Sequence, residues 1–148
     1  MSKPASPELE QGVSSEGAFD RSQRIRKRAD FLAAQSHGRR IGTQLCTLLL
    51  LAREGNERAR LGITASKKLG NAVARSRVKR VIREAFRATR ELWASDMDLV
   101  VIPRQAAVMA TTGTMVADWL AVADVITRKT EQARADAREG AQTKKGGR

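Results

Sequence analysis

Apolar residues recur at helical spacing through the middle of the chain. Val78, Val81, Ile82, Ala85 and Phe86 share one stripe at about 100° per residue. This pattern predicts a core-facing helix over about Val73–Leu92. Before it, the apolar run Gln44–Ala52 and the shorter Arg60–Ala65 have strand character. They are joined through the turn residues Glu54-Gly55-Asn56-Glu57. Ser66–Val73 is a basic loop that turns at Gly70-Asn71. Asp98–Pro103 reads as a third main strand, ended by Pro103.

Two more helices are expected. One covers Ser22–Ser36, with Ile25, Ala29, Leu32 and Ala33 inward, Phe31 flanking them and Gly38 as its stop. The other runs from Thr111 to about Thr130. Its inward face is Met115, Val116, Trp119, Leu120, Val122, Ala123 and Ile126, and Thr112 or Thr114 caps it. The order helix, strands, helix, strand, helix predicts an α+β fold: a single-domain α-β sandwich, one sheet with helices packed on it. Residues 1–22 are rich in Ser, Gly, Glu and Pro without periodicity and are expected to form a disordered tail. Residues 23–130 form the domain. Residues 131–148, charged and Gly-rich, are expected to be a second disordered tail. No internal repeat is present.

Charge then changes the picture. The 148 residues hold 28 Lys+Arg against 16 Asp+Glu, a formal charge of +12. On the predicted central helix, Arg75, Lys79, Arg80, Arg83, Arg87 and Arg90 oppose the apolar stripe, with Arg77 and Glu84 on its flanks. A face kept only for solubility would mix signs. This one has almost no acid, which suits a polyanion contacted through phosphates. A membrane surface is the competing polyanion. However, Leu45–Ala52 is far too short to span a bilayer, and the helix stripe is compact rather than an interfacial wedge. No signal-peptide pattern opens the chain, and Glu8, Glu10, Glu16 and Asp20 argue against a transit peptide. The single Cys46, inside an apolar run, fits a buried small hydrophobe in a reduced, cytoplasmic setting.

Protein-borne catalytic chemistry is not legible. His37 stands alone at a helix end, no His/Cys cluster suggests zinc, and SKKLGN lacks the spacing of a phosphate-cradling NTPase loop. Asp96 and Asp98 bracket Met97 and read as turn residues. RNA is preferred over DNA, since no helix-turn-helix or zinc-finger pattern appears and a sheet beside a basic helix suits single strands. Aromatic platforms are scarce. Phe86 and Trp119 sit at core spacing, leaving Phe31 as the base-stacking candidate.

The stretches RIRKRADFLAAQSHGRR, LGITASKKLGNAV, ARSRVKRVIREAFR and DLVVIPR together resemble the protein subunit of bacterial ribonuclease P over roughly residues 24–128. The resemblance implies a ribonucleoprotein endonuclease that removes the 5′ leader of precursor tRNA. Its RNA subunit would carry the chemistry and hold most of the Mg²⁺, with no catalytic or metal-binding residue on the protein. It implies a left-handed βαβ crossover whose loop is Ser66–Val73. It also implies RNA contacts by Arg75, Ser76, Arg77, Lys79, Arg80 and Arg83 on the helix and by Lys67, Lys68 and Asn71 on the loop. A leader cleft is expected between sheet and first helix at Phe31, Gln35, Leu45, Thr47 and Leu49. The implied partners are the catalytic RNA and the precursor-tRNA leader, with no membrane and no obligate protein partner. Two departures stand out: Ser76 replaces the family's Asn between two arginines, and Gln35, Leu45, Thr47 and Leu49 leave the cleft poor in aromatics. Leader binding is therefore expected to rest on van der Waals contact and phosphate charge. A structural, ribosome-type RNA-binding protein is the alternative reading.

Overall fold

The computed structural model describes residues 21–146, and side-chain surroundings for residues 22–140. Four helices surround a four-stranded mixed sheet. The helices are α1 (Arg28–His37), α2 (Ala72–Ala88), α3 (Thr112–Leu120) and α4 (Ala123–Gly146). The strands are β1 (Arg39–Gly42), β2 (Cys46–Ala52), β3 (Arg60–Ile63) and β4 (Met97–Pro103). Their order in the sheet is β1-β2-β4-β3. β2 pairs antiparallel with both β1 and β4, while β3 lies parallel to β4. A parallel pair needs a crossover, and α2 supplies it. The short edge strand β1 was not read from the sequence, because four residues give too little alternation to register.

The sheet is apolar on both faces, so both must be covered. One face presents Cys46, Leu48, Leu50, Leu61, Met97, Leu99 and Val101. It packs on the whole α2 stripe (Val78, Val81, Ile82, Ala85, Phe86) and on Met115, Trp119 and Ile126. Trp93 fills the corner, stacked on Phe86 at 6.2 Å and edge-on to Trp119 at 5.6 Å between ring centroids. Cys46 is buried here, and burial pushes its thiol up to about 12, so it stays protonated and inert. The second face, Leu49 and Val100, is closed by α1 alone through Ala34, with Ile25 just before it and half-buried Phe31 alongside.

Several expectations change. The first helix starts at Arg28, not Ser22. Ile25 lies outside it, donating its N–H to the Leu61 carbonyl at 2.9 Å, so the preceding segment runs along the β3 edge. The inward residues of α1 are Asp30 and Ala34, whereas Leu32 is 46% exposed. The helix is rotated because Asp30 is drawn inward by arginines. Arg53 Nη1 donates to Asp30 Oδ1 at 3.0 Å and Arg60 Nη2 to Asp30 Oδ2 at 3.2 Å. Arg60 also forks onto Asp98, Nε to Oδ1 at 2.8 Å and Nη2 to Oδ2 at 2.7 Å, and Asn56 Nδ2 donates to Asp98 at 3.0 Å. Asp98 is thus no turn residue. It sits within β4 at 0% exposure, satisfied by three donated hydrogen bonds.

The C-terminal segment also differs. The chain breaks after Leu120, itself 51% exposed, and a new helix continues to Gly146 rather than ending near Thr130. Ile126, Thr130 and Ala133 are buried at i, i+4, i+7, which gives α4 an inward stripe of its own. Two ion pairs fasten it. Arg134 forks onto Asp96 at 2.9 and 3.1 Å, and Arg39 on β1 forks onto Asp136 with two bonds of 2.8 Å. Residues 131–146 are helical, not an irregular tail. The cap of α3 is Thr111, in a reciprocal capping box with Thr114. The N-terminal tail expected over 1–22 falls almost wholly outside the described residues.

Two outcomes follow. Asp98→Ala strips the fork from partly buried Arg60 and leaves it the bond to Asp30, and chemical denaturation should show a loss of about 1–3 kcal/mol. The partnering arginines hold the carboxyls of Asp96 and Asp136 below their ordinary value of 3.8. Their contribution is therefore complete above that value and is lost as the pH falls below it through the depressed values. Protection of α4 amides, taken relative to the intrinsic exchange rate at each pH, should fall across that acid window, and Arg134→Ala should remove part of the effect.

Candidate nucleic-acid interface

The site is built on α2. The loop before it turns at Gly70, whose φ of +134° lies where side chains are rarely tolerated. Asn71 then caps the helix, its Oδ1 accepting from the Ala74 N–H at 2.9 Å. That bond commits the side-chain carbonyl of exposed Asn71 to the fold. Lys67 and Lys68 stand exposed in the single turn Lys67–Leu69.

With the apolar stripe fixed against the sheet, helix geometry divides the remaining residues into three zones. Ser76 and Arg80 point outward and are exposed, and half-buried Arg87 continues that line. Lys79 and Arg83 lie on the flank nearest β3. Together with Arg24, Ile25, Phe31, Leu61, Gly62 and Ile63 they line a cleft of about 120 Å³. On the opposite flank Arg77 is spent on the fold: its Nη1 donates to the Val108 carbonyl at 2.7 Å and its Nη2 to the Ala110 carbonyl at 2.9 Å. Glu84, on the same flank, accepts a hydrogen bond from the Thr112 hydroxyl. Arg75 is half-buried rather than outward, with its Nε buried and unpartnered.

The cleft has a specific cause. Phe31 lies directly over Gly62 of β3, and a Cβ built there would stand 2.7 Å from Phe31 Cε1. Only a glycine lets the ring settle against the strand, so Phe31 forms one wall and Lys79 and Arg83 the other. Arg83 has no carboxylate partner among the described residues. Burial, and secondarily the charge of Arg24, lower its pKa from 12.5. A half-buried cation facing another cation is the electrostatic situation that an incoming phosphate relieves.

The other expected cleft residues separate. Thr47 lies on the α1 side of the sheet, paired across the strands with Gly42 and Ile102, and its hydroxyl receives Arg104 Nη2 at 3.4 Å. Leu49, in the same column, is sealed beneath α1 and unavailable to a ligand. Gln35 is exposed on α1. Leu45 is not in the cleft. It packs with the main core, and its N–H donates to Asp118 Oδ2 at 3.1 Å. Its run of apolar neighbours suggested strand alternation, but β2 begins only at Cys46. Arg24, Gly62 and Arg104 were missed. Arg24 belongs to the basic stretch RIRKR, the one signal that could have marked it.

Among the described residues no group of three or more His, Cys, Asp or Glu side chains is placed to hold a metal ion. The buried carboxylates of Asp30 and Asp98 are already occupied by arginines. What the site can do is hold an extended polyanion against an aromatic edge. Lys79→Ala or Arg83→Ala should weaken RNA binding by about 1 kcal/mol and make the dependence of log affinity on log salt shallower by about one phosphate contact. An unchanged salt slope would take these residues out of the interface.

Comparison with known proteins meets this geometry. The family model described as Ribonuclease P matches residues 19–127. The ribonuclease P protein component of Gluconacetobacter diazotrophicus is 41% identical over 100 residues, covering 67% of this chain and 86% of that one. That of Shouchella clausii is 40% identical over 87 residues, covering 59% and 71%. The structure of the Staphylococcus aureus RNase P protein aligns with a TM-score of 0.62 at 34% identity, covering 70% of this chain and 94% of that one. The Thermotoga maritima protein aligns at 0.60 and 29% identity, covering 67% and 93%. A mixed sheet with a basic crossover helix, matched in sequence and in fold, places this chain in the ribonuclease P protein family.

Proposed function

We propose that this subunit assists a catalytic RNA in 5′-leader removal by two separate grips. The outward cations of α2 and its loop, Arg80, Lys67 and Lys68, hold the catalytic RNA. The cleft between Phe31 and the Lys79/Arg83 flank receives the leader of precursor tRNA. The observation that carries this reading is Arg83, without a carboxylate partner among the described residues, beside Lys79 and facing an aromatic wall that exists only because position 62 is glycine.

Hydrolysis of the phosphodiester is assigned to the RNA subunit. Among the described residues the buried acids Asp30 and Asp98 are tied to arginines, and the proposal assigns Mg²⁺ to the RNA. The protein's part is electrostatic and geometric: it offsets phosphate repulsion between two RNAs and orders a single-stranded leader. With Gln35 exposed and Thr47 beside Arg104, the open sheet strip offers hydrogen bonds and charge rather than stacking. This supports leader binding with little base preference. No helix among the described residues is long and apolar enough to cross a membrane. We place the work in the cytoplasm, with RNA as the required partner.

The test is cleavage of a precursor tRNA by a bacterial ribonuclease P RNA at low-millimolar Mg²⁺, with and without the protein. Strong stimulation, with no cleavage by protein alone, is expected. Tight RNA binding without stimulation would instead support a purely structural RNA-binding role.

A further inference from the structure

Two large apolar side chains are unusually open. Val73 is 77% exposed at the start of α2, and Met109 is 83% exposed at the end of the single turn Gln105–Met109. Arg77 ties the two elements that carry them together. Val73 stands one turn before Arg77 on the same side of the helix, and helical side chains lean toward the N-terminus. The Arg77 side chain therefore leans toward the turn that holds Val73. It ends on the carbonyl oxygens of Val108 and Ala110, the residues on either side of Met109. With both carbonyls held inward, Met109 is turned out. The neighbouring turn Lys67–Leu69 packs near the same segment and brings exposed Lys67 and Lys68 to the patch. Arg80 lies one turn further along α2.

We propose that Val73 and Met109 form an apolar platform for RNA, against the face of an unpaired base or ribose, and that Arg77 is the positioning residue that presents it. The proposal rests on the reading that this protein binds the catalytic RNA. The chemistry favours RNA over a protein partner. Two side chains are far too little apolar area for a stable protein interface, whereas one exposed base needs only such a platform with cations beside it for the flanking phosphates. Arg77, which its motif suggests as a phosphate ligand, has its guanidinium committed to two backbone acceptors.

The experiment measures binding of the full chain to a bacterial ribonuclease P RNA over a series of salt concentrations. Met109→Ser and Val73→Ser should each weaken binding roughly three- to tenfold, with folding and the salt slope unchanged. Arg80→Ala is the control and should flatten the slope by about one. Arg77→Ala and Arg77→Lys should both match Met109→Ser, because Lys keeps the charge but cannot span two carbonyls. Combining Arg77→Ala with Met109→Ser should add little. Serine variants that bind normally while Arg80→Ala weakens would overturn the platform and leave the RNA reading standing. No effect from any variant, Arg80→Ala included, would overturn the platform together with the outward α2 grip, and failure of the unsubstituted chain to bind would remove the RNA reading itself. Full rescue by Arg77→Lys, or a slope reduced by one in Arg77→Ala, would make Arg77 a phosphate ligand and refute its positioning role. A change in sedimentation of the RNA-free serine variants would mark the patch as a protein interface instead.

Discussion

The buried fork of Arg60 onto Asp98, shared with Asp30, is the constraint on which the rest of this structure depends. A single helix, α1, must close one whole face of the sheet, and it has little apolar surface with which to do so. Ala34 is the one fully buried apolar residue it contributes, and Phe31 stays half open. Charge supplies what hydrophobic area does not. Arg60 on β3 joins a carboxylate from β4 to a carboxylate from α1, and Arg53 at the end of β2 adds a second bond to Asp30. Buried pairs of this kind contribute little net stability against an apolar substitute, but their geometry is specific. Here the specificity sets the rotation of α1, and that rotation places Phe31 over Gly62. The cleft is thus a consequence of the ion network beside it, through Asp30 next to Phe31 and Arg60 next to Leu61.

α2 shows how one residue type serves three ends on a single helix. The apolar stripe fixes the rotation of the helix against the sheet. Angle then sorts its arginines: Arg77 falls toward the carbonyls of Val108 and Ala110 and becomes scaffold, Arg83 falls toward a cleft lined by no acid among the described residues, and Arg80 faces solvent. Burial is what separates the last two. A solvated guanidinium is already well hydrated and gains little from a phosphate, whereas Arg83, partly stripped of water and facing Arg24, gains more.

The sequence made α2 legible because its signal is local: five core positions within nine residues repeat at helical period, and all five are buried. The ion network was not legible, because its bonded partners are separated by 23 to 42 residues and nothing in the neighbourhood of Asp98 tells a buried strand aspartate from a turn residue. The start of α1 was misplaced for the same reason. Ile25 carries an apolar signal that helix and strand edge share, and only its bond to Leu61 decides between them. Arg77 illustrates a deeper limit. Its neighbours mark it as part of a basic motif, yet its partners are carbonyls 31 and 33 residues downstream.

The C-terminal helix carries this argument to the edge of the family. Residues 128–146 lie beyond the segment that the family model matches, yet α4 continues through them. Residues 137–140 are exposed, and apolar packing alone would leave a helix of this composition marginal. What holds it is again arginine on aspartate, from β1 and from the residue just before β4. These pairs are half exposed, so they are screened by salt, unlike the buried fork of Arg60. The same interaction therefore behaves in two ways within one chain. Where it is buried it fixes the geometry of the cleft under all ordinary conditions. Where it is open it ties down an extension whose attachment responds to salt and acid.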